Sequence, residues 1–240
     1  MDVYSLMAEP RVVYRRDGDR APVNLGVSEF SAISTEFLVP VVGISSWRGK
    51  QSYEGRWWFA RMGHHVAFAS AWERDVLTIL DYQEDVTVLV RDPAVFVSAR
   101  TMRTPLLRPW LLFQNSEGIR VVLFKTADHD RSSELAGILA GSGVNVAILD
   151  LPAKAELRLV RWLAGYQFSR FRLPGEVEEE VRGSCLTPMP LLEAVKCAAA
   201  ITDKDLSAIR ANFYSQMWRR KVELIDRAEF ISDVSLVRAA

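Results

Sequence analysis

The sequence predicts a mixed α/β (α+β) fold, and three features of the chain lead to this prediction. An amphipathic helix begins after Ser70 and is followed by an acidic turn and a short strand. Apolar segments at 119–125 and 144–151 flank a helical segment, which implies a parallel crossover, because parallel neighbours cannot be joined by a tight turn. From residue 152 the pattern becomes helical and ends in a short β-type tail.

Length and charge limit the class of protein. A chain of 240 residues forms one large domain or two small ones. Its hydrophobic content of 49% and charged content of 25% are typical of a folded protein with a sizeable core. Since 30 basic and 30 acidic residues give a net charge of +0, nucleic-acid binding would depend on local basic patches.

Cysteine content and the absence of long apolar runs predict a cytoplasmic protein. Cys185 and Cys197 are too few for a zinc site or a disulfide framework, which favours a reducing compartment. The first residues lack the basic and apolar regions of a signal peptide. No apolar run approaches the roughly 18 residues that a membrane span requires, so we expect no membrane partner.

Residues 1–50 are predicted to form a β-rich extension. A hairpin turns at Asp17-Gly18, and a short helical turn and a further strand follow it. The next segment is a polar loop that carries Arg48 and Lys50. Such a loop suits contact with phosphate groups, although an ordinary solvated connection has the same composition.

Residues 51–151 are predicted to form the α/β core. Its first hairpin turns at Met62-Gly63, and a helix then begins with a capping box formed by Ser70 and Glu73. An apolar stripe marks the buried face of this helix: Trp72, Val76, Ile79 and Leu80. The remaining predicted elements are strands at 86–90 and 94–97, a hairpin of 111–113 with 119–125, a helix at 132–140 and a strand at 144–151.

Residues 152–240 are predicted to form a helical module that is compatible with a winged helix. Helices are expected at 154–167, 175–182, 191–200 and 202–221, followed by a strand and a final short element. The last helix ends in Arg219, Arg220 and Lys221 beside an aromatic side chain, where three cations could contact phosphates. Cations at this position also complement the helix dipole without any ligand.

Three phrases of the chain carry a family resemblance. Glu73-Arg74-Asp75 opens the predicted helix, Val122-Leu-Phe-Lys125 ends a strand of the core, and Val160-Arg-Trp-Leu lies in a later helix. With the order of elements between them, they resemble the TnsA-type endonuclease subunit of heteromeric transposases over roughly 53–172. The resemblance implies a restriction-endonuclease-like core, with transposase and ATPase-regulator subunits as partners.

The metal ligands of that family are incomplete in this chain. Glu73 matches the acidic residue of the family's helix and Lys125 its terminal lysine, but Trp110 and Leu123 stand where the family places its other metal ligands. Mg²⁺ takes oxygen ligands, and a two-metal site needs more than one carboxylate. The resemblance therefore implies a degenerate site without a bound cofactor, in which Trp110 fills the vacated space and Glu73 and Lys125 are remnants.

Two further groups of residues leave alternatives open. Asp128 and Asp130 could form a displaced acidic cluster with Glu73 that binds Mg²⁺ or Mn²⁺, although acids at such a turn usually cap a helix. A second basic patch combines Arg100, Arg103 and Arg108 before the Trp110 strand.

Three functions are consistent with these observations. The first is a catalytically degenerate TnsA-like protein that binds DNA or assembles a transposition-type complex, and this is the interpretation we favour. The second is an active metal-dependent endonuclease with a rearranged site. The third is a non-catalytic interaction factor in regulation or defence, which neutral net charge favours somewhat.

Overall fold

The computed structural model of the chain describes a mixed α/β protein with two compact units. Unit 1 comprises Met1–Ser70 and Asp85–Asp150, and unit 2 comprises Ala71–Glu84 and Leu151–Ala240. The residues that the structure describes are 11–43, 53–83, 85–97, 105–122, 136–137, 139, 142–147, 149, 151–225 and 230–240.

Strands dominate unit 1 and form a small sheet in unit 2. Their bounds are β1 Arg11–Arg16, β2 Val23–Gly26, β3 Leu38–Val39, β4 Gly55–Phe59, β5 His64–Phe68, β6 Val88–Arg91, β7 Ala94–Val97, β8 Pro105–Leu107, β9 Leu111–Asn115, β10 Gly118–Val122, β11 Val144–Ala147, β12 Met189–Pro190, β13 Val222–Leu224 and β14 Leu236–Ala239.

Helices dominate unit 2. The α-helices are α1 Ala71–Tyr82, α2 Lys154–Leu163, α3 Gly175–Gly183, α4 Leu191–Thr202 and α5 Leu206–Trp218. Short 3-10 turns occupy Val27–Ala32, Thr35–Phe37, Ala164–Tyr166 and Ser169–Phe171.

The first sheet of unit 1 is built around β1. The predicted hairpin at Asp17-Gly18 is confirmed, with Arg11 opposite Gly26 in an antiparallel pair and Gly18 at a φ of 83°. The opposite edge of β1 pairs with β7, which in turn pairs with β8. The strands of the N-terminal extension therefore share one sheet with strands from the middle of the chain.

The second sheet of unit 1 has the order β11-β10-β9-β6. Strands β9 and β10 are antiparallel, which confirms the predicted hairpin. Strand β6 pairs with the other edge of β9 and is also antiparallel to it. Strands β10 and β11 are parallel, with Ile119 opposite Val144, which confirms the predicted crossover. One apolar core joins this sheet to the first, and its buried members are Val12, Tyr14, Val27, Phe30, Leu38, Val90, Ala94, Phe96, Leu112, Val121, Leu139 and Val144.

The predicted hairpin around Met62-Gly63 is confirmed as β4 and β5. Gly63 has a φ of 67°, which glycine adopts without strain. Gly55 lies opposite Phe68, and a Cβ atom added there would come within 2.4 Å of the Phe68 ring. Glycine at 55 is therefore required for this ring to cross the neighbouring strand.

Unit 2 is organised around α5, which packs against α2, α3, α4 and the strand β13. The sheet order is β12-β14-β13, with both pairs antiparallel. Helix α1 packs against α2, and the ring of Tyr82 lies 5.5 Å from that of Trp218.

The last predicted helix ends earlier than expected, whereas its predicted capping phrase at 202–206 contains the observed N-cap residue Asp205. It begins at Leu206, because Asp203 adopts a left-handed φ of 51° and the carboxylate of Asp205 accepts hydrogen bonds from the N–H groups of Ser207 and Ala208. It ends at Trp218, so the cations expected in its final turn lie beyond the helix.

Candidate functional site

Trp110, the predicted replacement for a metal ligand, lies in the interior of unit 1. It is 1% exposed and immediately precedes β9. Its backbone N–H donates to the carbonyl of Val122 at 2.8 Å, and its backbone carbonyl accepts from the backbone N–H of Asp92 at 2.8 Å. Since an indole offers no ligand oxygen, this position cannot contribute to the coordination shell of Mg²⁺.

Asp92 is a buried carboxylate on the strand segment next to Trp110, and sequence reasoning missed it. Its φ is 46° and it is 4% exposed. One carboxylate oxygen accepts hydrogen bonds from Nε and Nη2 of Arg108 at 3.0 and 2.8 Å, and the other lies 3.0 Å from Nη1 of Arg91. The Asp-Pro phrase after a strand indicated only a turn, because its partner Arg108 is 16 residues away.

Arg108, a predicted DNA contact, is therefore engaged in an ion pair. Its side chain is 43% exposed, yet both donors described above point to Asp92. An arginine that compensates a buried carboxylate loses part of its value for a phosphate, because turning to a phosphate would leave one oxygen of Asp92 without its two charge-assisted hydrogen bonds.

Glu73, the expected remnant of the metal site, lies on α1 in unit 2 and is 3% exposed. Its neighbour Asp75 is 4% exposed and is held by two arginines. Nε of Arg161 lies 2.8 Å from Oδ1 of Asp75, Nη2 of Arg161 pairs with Oδ2, and Nη2 of Arg74 lies 3.0 Å from Oδ1.

The pair of Asp75 with Arg161 brings two phrases of the family resemblance together. Asp75 closes the phrase that begins at Glu73, and Arg161 lies in the phrase that begins at Val160. The two residues are 86 positions apart and join α1 to α2. In this structure the two phrases thus contribute to contact between helices.

Arg219, another predicted DNA contact, forms an ion pair inside unit 2. Its Nη1 and Nη2 lie 2.9 and 2.7 Å from the two carboxylate oxygens of Glu178. The side chains are 19% and 9% exposed. Burial raises the pKa of Glu178, but hydrogen bonds from Arg219 and Asn212 outweigh it, so the pKa lies below the ordinary value.

A buried polar network extends from this pair along α5. Nδ2 of Asn212 donates to Oε1 of Glu178 at 3.1 Å and to the carbonyl of Phe171 at 3.0 Å. Nε2 of Gln216 donates to Oδ1 of Asn212 at 2.8 Å and to the carbonyl of Glu178 at 3.1 Å. The network fixes α3 and the 169–173 segment against one side of α5.

The other two predicted cations at this helix end differ from Arg219. Arg220 is exposed, has a φ of 56° and places its guanidinium carbon 5.9 Å from the ring centre of Tyr82. Lys221 is half-buried, and its backbone N–H donates to the backbone carbonyl of Gln216 at 2.9 Å.

Eight predicted residues lie outside the part of the chain that the structure describes. They are the site residues Leu123, Lys125, Asp128 and Asp130 and the basic residues Arg48, Lys50, Arg100 and Arg103. Among the described residues, no three His, Cys, Asp or Glu side chains are grouped to hold a metal ion.

Unit 1 also contains a groove of about 980 Å³ that borders β3, β5 and β6. Acidic, basic and imidazole side chains all line the groove, including those of Asp17, Glu36, Arg56, His64 and His65. Such a mixed lining indicates no single class of ligand.

The two cysteines differ in burial. Burial raises the pKa of the Cys185 thiol to about 11, whereas Cys197 is exposed.

No helix in the described ranges is both long enough and apolar enough to cross a membrane.

No protein-family model matches the chain, and no curated protein shows significant similarity to it.

Proposed function

We propose that this chain is a catalytically degenerate TnsA-like protein that acts as a DNA-binding or assembly subunit of a transposition-type nucleoprotein complex. The burial of Trp110 carries the proposal, since only 1% of this residue is exposed where the resemblance implies a metal-binding aspartate. A hydrolytic site on two metal ions requires carboxylate oxygens at such a position.

The arrangement of unit 1 supports a restriction-endonuclease-like core. Across the second sheet, β6 lies beside the β9–β10 hairpin, and β11 lies beside β10 and parallel to it. The resemblance implies this succession of strands, in which the hairpin carries the metal ligands. Here Trp110 immediately precedes the hairpin, at the position where the resemblance implies the first of these ligands.

The arrangement of unit 2 supports a winged-helix module. The order α3, β12, α4, α5, β13, β14 places a helix pair between the strands of one small antiparallel sheet. In helix-turn-helix proteins, the second helix of the pair enters the major groove, and its N-terminal residues contact base edges. Helix α5 takes that position in the order of elements.

The burial of α5 restricts how this module would meet DNA. From Asn212 to Trp218 every residue is buried, whereas Leu206, Ser207 and Ala208 are exposed. Only residues in the N-terminal half of α5 are therefore accessible, fully or in part, to a base edge or phosphate. The Arg219 guanidinium belongs to the buried network, so the phosphate contacts would come from other cations.

Duplex binding tests the proposal. The full-length protein should bind a labelled duplex by fluorescence anisotropy, and its affinity should fall between about 50 and 200 mM salt, because phosphate contacts release counterions. Absence of duplex binding at about 50 mM salt would contradict a DNA-binding role and favour a factor that acts through protein contacts alone.

A further inference from the structure

We infer that one face of unit 2 binds single-stranded nucleic acid through exposed rings and arginines. This face, here called the aromatic–basic face, is formed by α2 and the two 3-10 turns after it. Its members are Lys154, Arg158, Trp162, Phe168, Arg170 and Arg172. The inference rests on the proposed function only in assigning the protein a nucleic-acid partner.

Charge is concentrated on this face. The segment 154–172 contains five basic residues and a single acidic one, Glu156, although the whole chain has a net charge of +0. All five basic side chains belong to exposed residues. Arg161, the fifth, pairs with Asp75 and is left out of the face. The remaining cations give a local positive potential that suits a phosphate backbone.

The helical part of the face follows from residue spacing. Lys154, Arg158 and Trp162 are four residues apart and therefore lie on one side of α2. Leu157, Val160 and Leu163 are buried on the other side. The packing of α2 thus leaves these two cations and the indole on its exposed side, where the Arg158 guanidinium carbon lies 5.3 Å from the ring centre of Phe230.

The aromatic side chains of this region form a continuous series. Ring centres are 5.0 Å apart between Trp162 and Tyr166, and 5.0 Å between Tyr166 and Phe171. The ring centre of Tyr214 in α5 lies 4.6 Å from that of Trp162 and 4.9 Å from that of Tyr166. Packing on α5 therefore holds these two rings in place. Trp162, at one end of this series, is 43% exposed, and the ring of Phe168, which lies outside the series, is 39% exposed.

Arg170 joins the cationic and aromatic parts of the face. Its guanidinium carbon lies 5.2 Å from the ring centre of Phe168 and 4.8 Å from that of Phe171. Stacking on two rings restricts the guanidinium while leaving its charge near solvent. A preorganised cation of this kind loses little entropy when it meets a phosphate.

Single strands fit this face better than duplex DNA does. Exposed rings gain energy by stacking on bases, which are accessible in a single strand and already stacked in a duplex. A row of rings with interspersed cations therefore matches alternating bases and phosphates.

Fluorescence anisotropy with a labelled oligothymidine of about 20 nucleotides, longer than one typical binding site, tests the inference on the full-length protein. The double variant Trp162→Ala/Phe168→Ala should weaken binding at least tenfold, since each lost stack costs about 1–3 kcal/mol. Trp162→Phe should retain most of the affinity, because phenylalanine still stacks. Arg170→Ala/Arg172→Ala should lower the salt slope by about 1.4, or 0.7 for each lost phosphate contact.

Leu186→Ala and Arg238→Ala serve as controls, because they remove an exposed apolar side chain and an exposed cation elsewhere in unit 2. Circular dichroism should show that every variant is folded. An oligothymidine affinity unchanged by the ring variant would overturn the inference, as would equal competition by polyglutamate.

The same titrations separate this inference from the proposed function. Duplex binding without any effect of the ring variant would leave the proposed function standing and overturn the inference. Ring-dependent oligothymidine binding without duplex binding would support the inference and contradict a duplex-binding subunit.

Discussion

Three buried carboxylates, Asp75, Asp92 and Glu178, each lie against arginine side chains. A charge removed from water is costly unless it is paired and hydrogen-bonded, and each of these acids has both kinds of contact. The arginines that sequence analysis assigned to DNA at positions 108 and 219 compensate two of these acids instead.

Arg219→Ala should lower the free energy of unfolding by about 2–5 kcal/mol, because it leaves the buried carboxylate of Glu178 without its ionic partner. Urea denaturation of the variant and the wild type measures the difference. Arg238→Ala is the matched control, since its partner Glu223 is 50% exposed and such surface pairs contribute about 0–1 kcal/mol. Equal effects of the two substitutions would contradict a structural role for Arg219.

The Glu178 pair also predicts how stability depends on pH. The lowered pKa of Glu178 means that its contribution is complete above the ordinary value of 4.5 and declines as pH falls through the folded value. Glu178→Gln should therefore be less stable than wild type at neutral pH, and the gap should narrow below about pH 4.5, where protonated glutamate resembles glutamine. Urea midpoints across this range measure the gap. A gap that is constant from neutral to acidic pH would contradict the assignment.

Neither the Arg108–Asp92 pair nor the Arg219–Glu178 pair could be predicted from the sequence. Arg219 and Glu178 are 41 residues apart, and a run of cations after an aromatic side chain looks alike whether it faces a phosphate or a buried acid. Trp110 differs, because its burial followed from the resemblance together with the loss of a ligand oxygen.

Among the helices, α1 and α2 are linked by the Asp75–Arg161 pair. Alanine at either position should destabilise unit 2, and a double-mutant cycle should give a coupling energy of about 1–3 kcal/mol, reduced because Arg161 is partly exposed. The Arg182–Glu179 pair within α3 is the control, where an exposed pair three residues apart should couple by about 0.2–0.5 kcal/mol. Additive effects of Asp75→Ala and Arg161→Ala would contradict a link between these helices.

Elements formed by local signals could be predicted, and those formed by distant pairing could not. The hairpins at Gly18 and Gly63 carry turn residues between alternating segments, which fix the pairing of adjacent strands. Pairing of β1 with β7 depends on residues that are about 80 positions apart and have no local signature. The sequence located the cap of α5 only to residues 202–206, because Thr202, Asp203 and Asp205 are all acceptable capping residues.

For the molecule as a whole, charge balance limits DNA affinity. With a net charge of +0 and several arginines committed to buried acids, we expect about three phosphate contacts and a slope of about −3 for log K against log salt on duplex DNA. Anisotropy titrations at several salt concentrations give this slope. A slope near −8 would contradict it, because it would require a far larger basic surface than the described residues provide.

Each of the two units is built from two segments that are separate in the chain. Unit 2 takes α1 from within the segment that the sequence assigned to the nuclease core, together with residues 151–240. Glu73 and Trp110 therefore belong to different units, which local patterns could not indicate. The predicted division into 1–50, 51–151 and 152–240 remains a prediction.

Calorimetric titration of Mn²⁺ and Mg²⁺ into the full-length protein with duplex DNA, paired with nicking of supercoiled plasmid by the same preparation, tests the degenerate site most directly. Because Trp110 supplies no ligand oxygen, we predict no stoichiometric metal binding and no nicking. Stoichiometric metal binding with nicking that Glu73→Ala abolishes would contradict the proposed function and show that the ligands lie elsewhere in the chain.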